Sequence, residues 1–267
     1  MKTCGIQLLL AGLLWGLGGC GGGGGHQEAK SGATPPAPPR AVIPNPPADQ
    51  DDGFTFNPQA PNANPLPYDP QDVAQSMVSR QGNRDGAGVF VYATHNGQTF
   101  VLLARRAPWL GSPGTWGVFG GSVETTDLDS AGRMSYSRAA EHELYEESVT
   151  VYHQTDAVAL RACPSHIKQW NSGLRFRTFF SRQRYYPESR FNQGYAYAIQ
   201  HRLARKYQEN DEYRWVRLDD LQACAHARAR SHAFRDGTGA SHTLQLFNGF
   251  YRALIDPGYI AQMNALP

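Results

Sequence analysis

The sequence has little that would carry it across a bilayer or staple it covalently. Its one extended apolar run, Ile6–Leu17, is a dozen residues long. A helix rising about 1.5 Å per residue needs about 20 to span the hydrocarbon. Cysteine is scarce, at four in 267 residues, which excludes a disulfide-dense scaffold. Charge is sparse as well. Only 18% of residues are charged and the net charge is +2, so nothing global calls for a nucleic-acid duplex or an anionic surface. Lysine is rarer still: the basic residues are nearly all arginine, a side chain suited to forked contacts with phosphate. The nine histidines lack zinc-like spacing, and no internal repeat is visible. The 40% apolar content suffices for one globular domain with extensions and is marginal for two.

What is present begins at the N-terminus. Lys2, the short apolar run and the small residues after it read as a secretory signal over residues 1–19. The stretch "LGGC", Leu17–Cys20, resembles the lipobox of bacterial lipoproteins. That resemblance implies cleavage before Cys20, acylation of Cys20 by palmitate-type chains and a membrane anchor stronger than one chain would give. Gly21 in place of an acidic residue implies sorting to the outer membrane, facing the periplasm. An exported chain meets an oxidising compartment. Cys163 and Cys224 are then either one disulfide, closing a loop worth roughly 4 kcal/mol on a loop-entropy model, or two separate thiols.

Residues 20–75 form a glycine- and proline-rich segment. Twelve of the 18 prolines lie between Pro35 and Pro70, a composition expected of a disordered tether rather than a core. Phe54, Phe56 and Tyr68 give its tail aromatic groups that can lie on the domain. The globular part is expected over residues 76–267. "GVFVYAT" and "QTFVLLARR" read as strands joined by a turn at Asn96–Gly97. "WGVFGGSVE" reads as a short strand breaking at Gly120–Gly121. Strands are also expected at 157–162, 174–181 and 213–216, and helices at 135–149, 195–207 and 242–254. Irregular alternation of the two favours mixed α/β layers.

The helix expected at 135–149 carries an oddity. Glu143, Glu146 and Glu147 stand at i, i+3 and i+4, so they share a face, while Glu141 falls nearly opposite and Ala140 and Leu144 form an apolar edge. Like charges at that spacing repel by roughly 0.2–0.5 kcal/mol per pair.

"GGSVE" followed by "AAEHELYEES" resembles the Nudix box, and "WGVFGG" resembles the strand and paired glycines that precede it. "EYRWVRLDDL" is similar to the Trp-containing strand near the end of such domains, so the resemblance spans about half the chain, Gly88 to Leu221. It implies an α/β/α sandwich with a mixed sheet. It also implies hydrolysis of a nucleoside diphosphate linked to another group, with Mg²⁺ or Mn²⁺. Glu143, Glu146 and Glu147 would be the ligands, Gly121 would add its carbonyl, and Glu143 and Glu147 would take part in the chemistry. A further carboxylate is expected from "QENDEYRW", where Glu209, Asp211 and Glu212 are available and Glu212 is preferred.

The chain departs from the box at three places. His142 replaces the box arginine, Val149 its closing glycine, and roughly seven extra residues precede the helix, leaving Asp127 or Asp129 in the first-glutamate position. The partners expected for the substrate phosphates are Arg105, Arg106, Arg175 and Arg177, and those for a base Trp109, Trp116 and Tyr136, with Trp116 better suited to the core. Two other readings remain: a degenerate Nudix-fold module that binds a nucleotide or a protein, and an envelope scaffold whose acidic helix holds no ligand.

Overall fold

The computed structural model describes residues 54–58, 66–74 and 85–267. The signal at residues 1–19, Cys20 and most of the expected tether lie outside the described residues.

Two strands start the sheet, β1 (Gly86–His95) and β2 (Gln98–Arg106). Their turn is the expected one: Asn96 and Gly97 have φ of 49° and 73°, the left-handed pair that matches strand twist. β3 (Trp116–Gly117) and β4 (Phe119–Ser122) follow, then α1 (Tyr136–Glu147) and α2 (Ala157–Ala162). β5 (Ser165–Gln169), β6 (Arg175–Arg182), α3 (Glu188–Gln200), a 3₁₀ turn (Arg205–Gln208) and β7 (Asn210–Arg217) come next. The chain ends with α4 (Leu218–Ala227), a β8–β9 hairpin (Ser231–Arg235, Ser241–Gln245), α5 (Asn248–Leu254) and α6 (Pro257–Asn264).

The seven-stranded sheet is mixed. β1 runs antiparallel to β2 and β4 and parallel to β6, with Val89 opposite Phe179. Alternation along the strands splits the apolar residues between two faces. Val89, Val91, Leu102, Phe179, Tyr213 and Trp215 enter one cluster, with Ala140 and Leu144 of α1 and Phe191 of α3. Phe90, Leu103, Phe180 and Val216 enter the other, with Leu221 of α4, Leu254 of α5 and Met263 of α6. The result is the expected α/β/α sandwich.

Four local expectations fail for identifiable reasons. Residues 157–162 are helical, because the Asp156 carboxylate accepts the Ala159 N–H and caps a first turn. α3 begins and ends earlier than expected, starting after Pro187 and stopping before Arg202, whose φ is 52°. Residues 242–254 are not one helix: the first part is β9, paired with β8, and only Asn248–Leu254 is helical. β4 does not break at its glycines. Gly120 and Gly121 pair with Gly88 and Ala87, and the absent side chains let the two strands close up.

The folded body also reaches back past residue 76. Leu66 and Ala74 are buried, Val73 bridges Ser135, and Phe54 and Phe56 pack on Tyr197 with centroids 5.7 and 5.4 Å apart. Tyr68 lies under the Arg133 guanidinium and accepts its hydrogen bond at 2.7 Å.

Candidate active site

α1 is fixed at its start by buried polar groups. Ser135 is the N-cap and accepts the Arg138 N–H at 3.1 Å. The buried Asp72 carboxylate accepts from the hydroxyls of Ser135 and Ser137, both at 2.6 Å, and from Arg161 at 3.0 Å. On the side away from the acidic trio, Glu141 is buried and paired with Arg138 at 2.7 Å.

At the other end the helix stops in a left-handed turn built without glycine. Val149 and Thr150 have φ of 50° and 65°, and both are fully buried. A β-branched residue in that region costs about 1–2 kcal/mol. Burial of the valine side chain is worth roughly 1.5–3 kcal/mol and offsets it. Val149→Gly is therefore expected to change stability by less than about 1 kcal/mol in urea melts, whereas Leu144→Ala on the same helix should cost about 2–5 kcal/mol. Equal losses for the two would mean that Val149 carries no strain.

Between these ends the carboxylates gather over β4. A Cβ built on Gly121 would lie 2.1 Å from Glu143 Oε1, so Gly121 makes room for that carboxylate. The Gly120 N–H donates to Glu147 Oε2 at 2.6 Å. Glu146 pairs with Lys206 of the 3₁₀ turn at 2.5 Å. The last turn of α1 holds no basic residue, and the helix dipole there disfavours negative charge.

The electrostatics follow from that crowding. Burial, then the charges of Glu147, Glu209, Glu146 and Asp127, push the Glu143 carboxyl well above the usual range. Burial and Glu209 push Glu147 up to about 8, against the Gly120 N–H, Arg106 and Asn210. Glu209 is raised by its burial, with Arg106 opposing. Burial dominates all three, and the Arg106 charge beside Glu147 and Glu209 opposes it only in part.

The acid of that loop whose charge reaches Glu143 and Glu147 is Glu209, and Glu212 is paired elsewhere. Along β7, Tyr213 and Trp215 face the α1 side, so Glu212 and Arg214 face the other. Glu212 is bound there to Arg105 at 2.7 Å and to Arg214 at 2.6 Å, and Arg214 lies over Trp116. Glu209 stays with the cluster because its carbonyl accepts the Ala107 N–H at 2.8 Å. The alternation of "EYRW" carried this information once its aromatics were placed inward against the helix.

His142 takes the box arginine's place by pairing with Asp127, Nδ1 to Oδ1 at 2.6 Å. Asp127 is buried and accepts the Glu124 N–H at 2.6 Å. Asp129 is instead occupied within its own loop, accepting the N–H groups of Ala131 and Arg133, both at 2.9 Å. Asp127 is therefore the residue set against the box's basic position.

Of the four arginines expected to meet phosphate, only Arg106 sits in the field of the cluster. Its guanidinium also donates to the Gly111 carbonyl at 2.9 Å and lies over Phe247. Arg105 is held by Asp211 and Glu212. Arg175 is bound to Asp85 at 3.0 Å. Arg177 is bound to Asp72 at 3.4 Å and to Ser165. Those last two hold the N-terminal end of α1 and are committed to structure, which corrects the expectation for both. Tyr136 is likewise buried, its hydroxyl donating to Asp85 at 2.5 Å, and Trp116 is buried, while Trp109 is 42% exposed.

Cys163 and Cys224 are free thiols. Cys163 ends α2 and donates to Ala159 O at 3.4 Å, while Cys224 lies inside α4 and donates to Ala229 O at 2.9 Å. Each thiol bonds to a nearby carbonyl, and of the two alternatives the structure shows the separate thiols.

The donor set fits a hard divalent cation in kind, being all carboxylate oxygen around a cradle that only glycine leaves open. In arrangement the carboxylates stand apart: among the described residues no three His, Cys, Asp or Glu side chains are close enough together to hold an ion as they lie. Glu146 is turned to Lys206 and Glu147 to Gly120.

A model of the NUDIX domain family matches residues 82–236, more than half of the chain. No curated protein matches the sequence. Among solved structures, a NUDIX hydrolase from Alicyclobacillus acidocaldarius is 16% identical, with 69% of this chain and 96% of that one covered and a TM-score of 0.36. An Ap4A hydrolase from C. elegans, in a binary complex, is 14% identical, covering 52% and 84% with a TM-score of 0.34. The NUDIX domain of Shewanella oneidensis NrtR, complexed with ADP ribose, is 18% identical, covering 58% and 82% with a TM-score of 0.31.

Proposed function

The chain belongs to the Nudix family, and from that premise we propose that it hydrolyses the pyrophosphate bond of a nucleoside diphosphate linked to another group. The observation that carries this reading is that Glu143 lies against Gly121 and Glu147 on the Gly120 N–H, with the charges of Glu146 and Glu209 beside them, so that burial and like charge raise the carboxyls of Glu143, Glu147 and Glu209. Mg²⁺ or Mn²⁺, bound by these carboxylates, would neutralise phosphate charge and lower the pKa of a bound water. Within the protein, the Gly120 N–H fixes the direction of the Glu147 carboxylate, so that it can accept a proton from an attacking water. Arg106 supplies positive charge beside Glu147 and Glu209, where a phosphate oxygen would develop negative charge. The buried Asp127 orients His142 and fixes the loop before α1.

The test is phosphate release from a panel of dinucleoside polyphosphates and nucleotide sugars with Mg²⁺ or Mn²⁺. Turnover of at least one member that disappears on chelation is expected. Silence across the panel, with nucleotide binding retained, would establish the second reading, a binding module without hydrolysis. The His142–Asp127 pair favours that alternative, because histidine cannot reproduce the arginine fork.

We further propose that residues 1–19 are removed and that lipid on Cys20 ties the domain, through the proline-rich segment, to the outer membrane on its periplasmic side. Cys20→Ser is expected to move the protein from the membrane fraction to the soluble one, read by fractionation and by the mass of the mature N-terminus. Retention in the membrane would refute the anchor.

A further inference from the structure

Lys206 is one of the chain's few lysines, and it points at the site from outside the box. Its ammonium touches Glu146 Oε1 at 2.5 Å and so balances the charge of a carboxylate that the proposed function assigns to a divalent cation. The contact is built in rather than accidental. The 3₁₀ turn beneath Lys206 is docked on α1, where Tyr207 meets Tyr145 edge-on at 6.1 Å, and on Phe56, which it meets edge-on at 5.6 Å. On the other side of Lys206, the Arg205 guanidinium lies 5.3 Å from the centre of the Trp109 ring. The backbone is thus pinned on both sides while the lysine side chain itself stays half exposed, at 49%. A long, flexible side chain on a fixed base can hold one partner and then swing to another without moving the fold.

We propose that Lys206 is a displaceable counter-ion of the site. It neutralises Glu146 while no divalent cation is bound, yields that carboxylate when one enters, and then pairs with a phosphate of the substrate. This rests on the reading of Glu146 as a metal ligand. Two consequences of opposite sign follow. Removing the ammonium removes a competitor for the cation and also removes a partner for phosphate.

The experiment is calorimetric titration of the full chain, with Mn²⁺ alone and then with inorganic pyrophosphate at saturating Mn²⁺, on wild type, Lys206→Met and Lys206→Arg. Lys206→Met should bind Mn²⁺ about threefold to fivefold more tightly, the range expected for a partly exposed ion pair, and should bind pyrophosphate more weakly. Lys206→Arg should restore both values toward wild type. In a Glu146→Gln background, Lys206→Met should no longer tighten Mn²⁺. A purely structural lysine would not strengthen one ligand while weakening the other. If Lys206→Met binds Mn²⁺ no more tightly than a wild type that itself binds it, the counter-ion role is overturned and the metal reading stands. If it binds Mn²⁺ more tightly but pyrophosphate equally well, the phosphate half is overturned. If neither protein takes up Mn²⁺, the metal reading fails and this proposal fails with it.

Discussion

Glu147→Gln is expected to lower turnover by about 10²–10⁴-fold, the range for losing a positioned proton acceptor, and at the same time to make the metal-free protein more stable at pH 8. The two effects have one cause. Glu147 is buried beside Glu209, and its carboxyl is pushed up to about 8 from an ordinary value of 4.5. The folded state therefore keeps a proton that the unfolded state releases. Between about pH 4.5 and 8 the folded state binds more protons, so unfolding free energy falls as pH rises through that window. Glutamine carries no charge to lose, and its oxygen still accepts the Gly120 N–H. In chelator, wild type should thus melt several degrees lower at pH 8 than at pH 5, with each pKa unit corresponding to about 1.4 kcal/mol. The variant should show a flatter profile, and the two proteins should converge near pH 5. Mg²⁺ should raise the wild-type melting temperature most at pH 8, where the carboxylates ionise at greatest cost. Thermal melts across pH, with and without metal, alongside the hydrolysis assay, decide the matter. Activity within tenfold of wild type, or a variant less stable at every pH, would show that Glu147 is an ordinary structural carboxylate.

How far the sequence reaches is clearest residue by residue. The acidic face of α1 was legible because helical period alone places Glu143, Glu146 and Glu147 together. The β1–β2 hairpin was legible because Asn-Gly permits one short turn geometry. The mixed α/β character followed from the alternation of strand-like and helix-like runs, and the α/β/α layering from the resemblance to the Nudix box. Glu209 was obscured because three acids lie within four residues, and choosing among them requires knowing which face of β7 meets α1. Arg175 and Arg177 do share a strand face, as their spacing requires. What sequence could not supply is that Asp72 and Asp85, about 90–105 positions away, already occupy them. The β8–β9 hairpin escaped because its strands bury only Phe234 and Leu244, too few residues to produce a pattern. The left-handed Val149 ran against local preference and was imposed by packing: α3 presents Gly194 to it, where an added Cβ would come within 3.0 Å. Val149 and Thr150 are consecutive departures of that kind, at the end of α1 that carries the carboxylates, where a site would exert its demands on the chain.

The paired glycines allow fold and site to be separated by two neighbouring substitutions. A Cβ on Gly120 would sit 2.7 Å from the Ala87 carbonyl and 2.8 Å from Gly88 Cα, both backbone atoms of the central strand. Nothing there can yield without opening the β1–β4 pairing, which also carries the N–H that holds Glu147. Gly120→Ala is expected to cost about 3 kcal/mol or more, and so to lower the melting temperature by roughly 10 °C in a domain of this size. The three atoms nearest a Cβ on Gly121 all belong to the Glu143 carboxyl, Oε1 at 2.1 Å. That carboxylate can rotate away, so Gly121→Ala should melt within a few degrees of wild type. Its Mn²⁺ affinity should nonetheless fall by about 10–100-fold, the loss typical when a ligand is displaced from its support. The pair of outcomes is sharper than either alone, since one residue separates a substitution that breaks the sheet from one that moves a single acid. Calorimetry on Gly121→Ala is the decisive arm. If the variant folds and binds Mn²⁺ as tightly as wild type, Glu143 is not among the ligands, and the glycine pair serves only the close approach of β4 to β1.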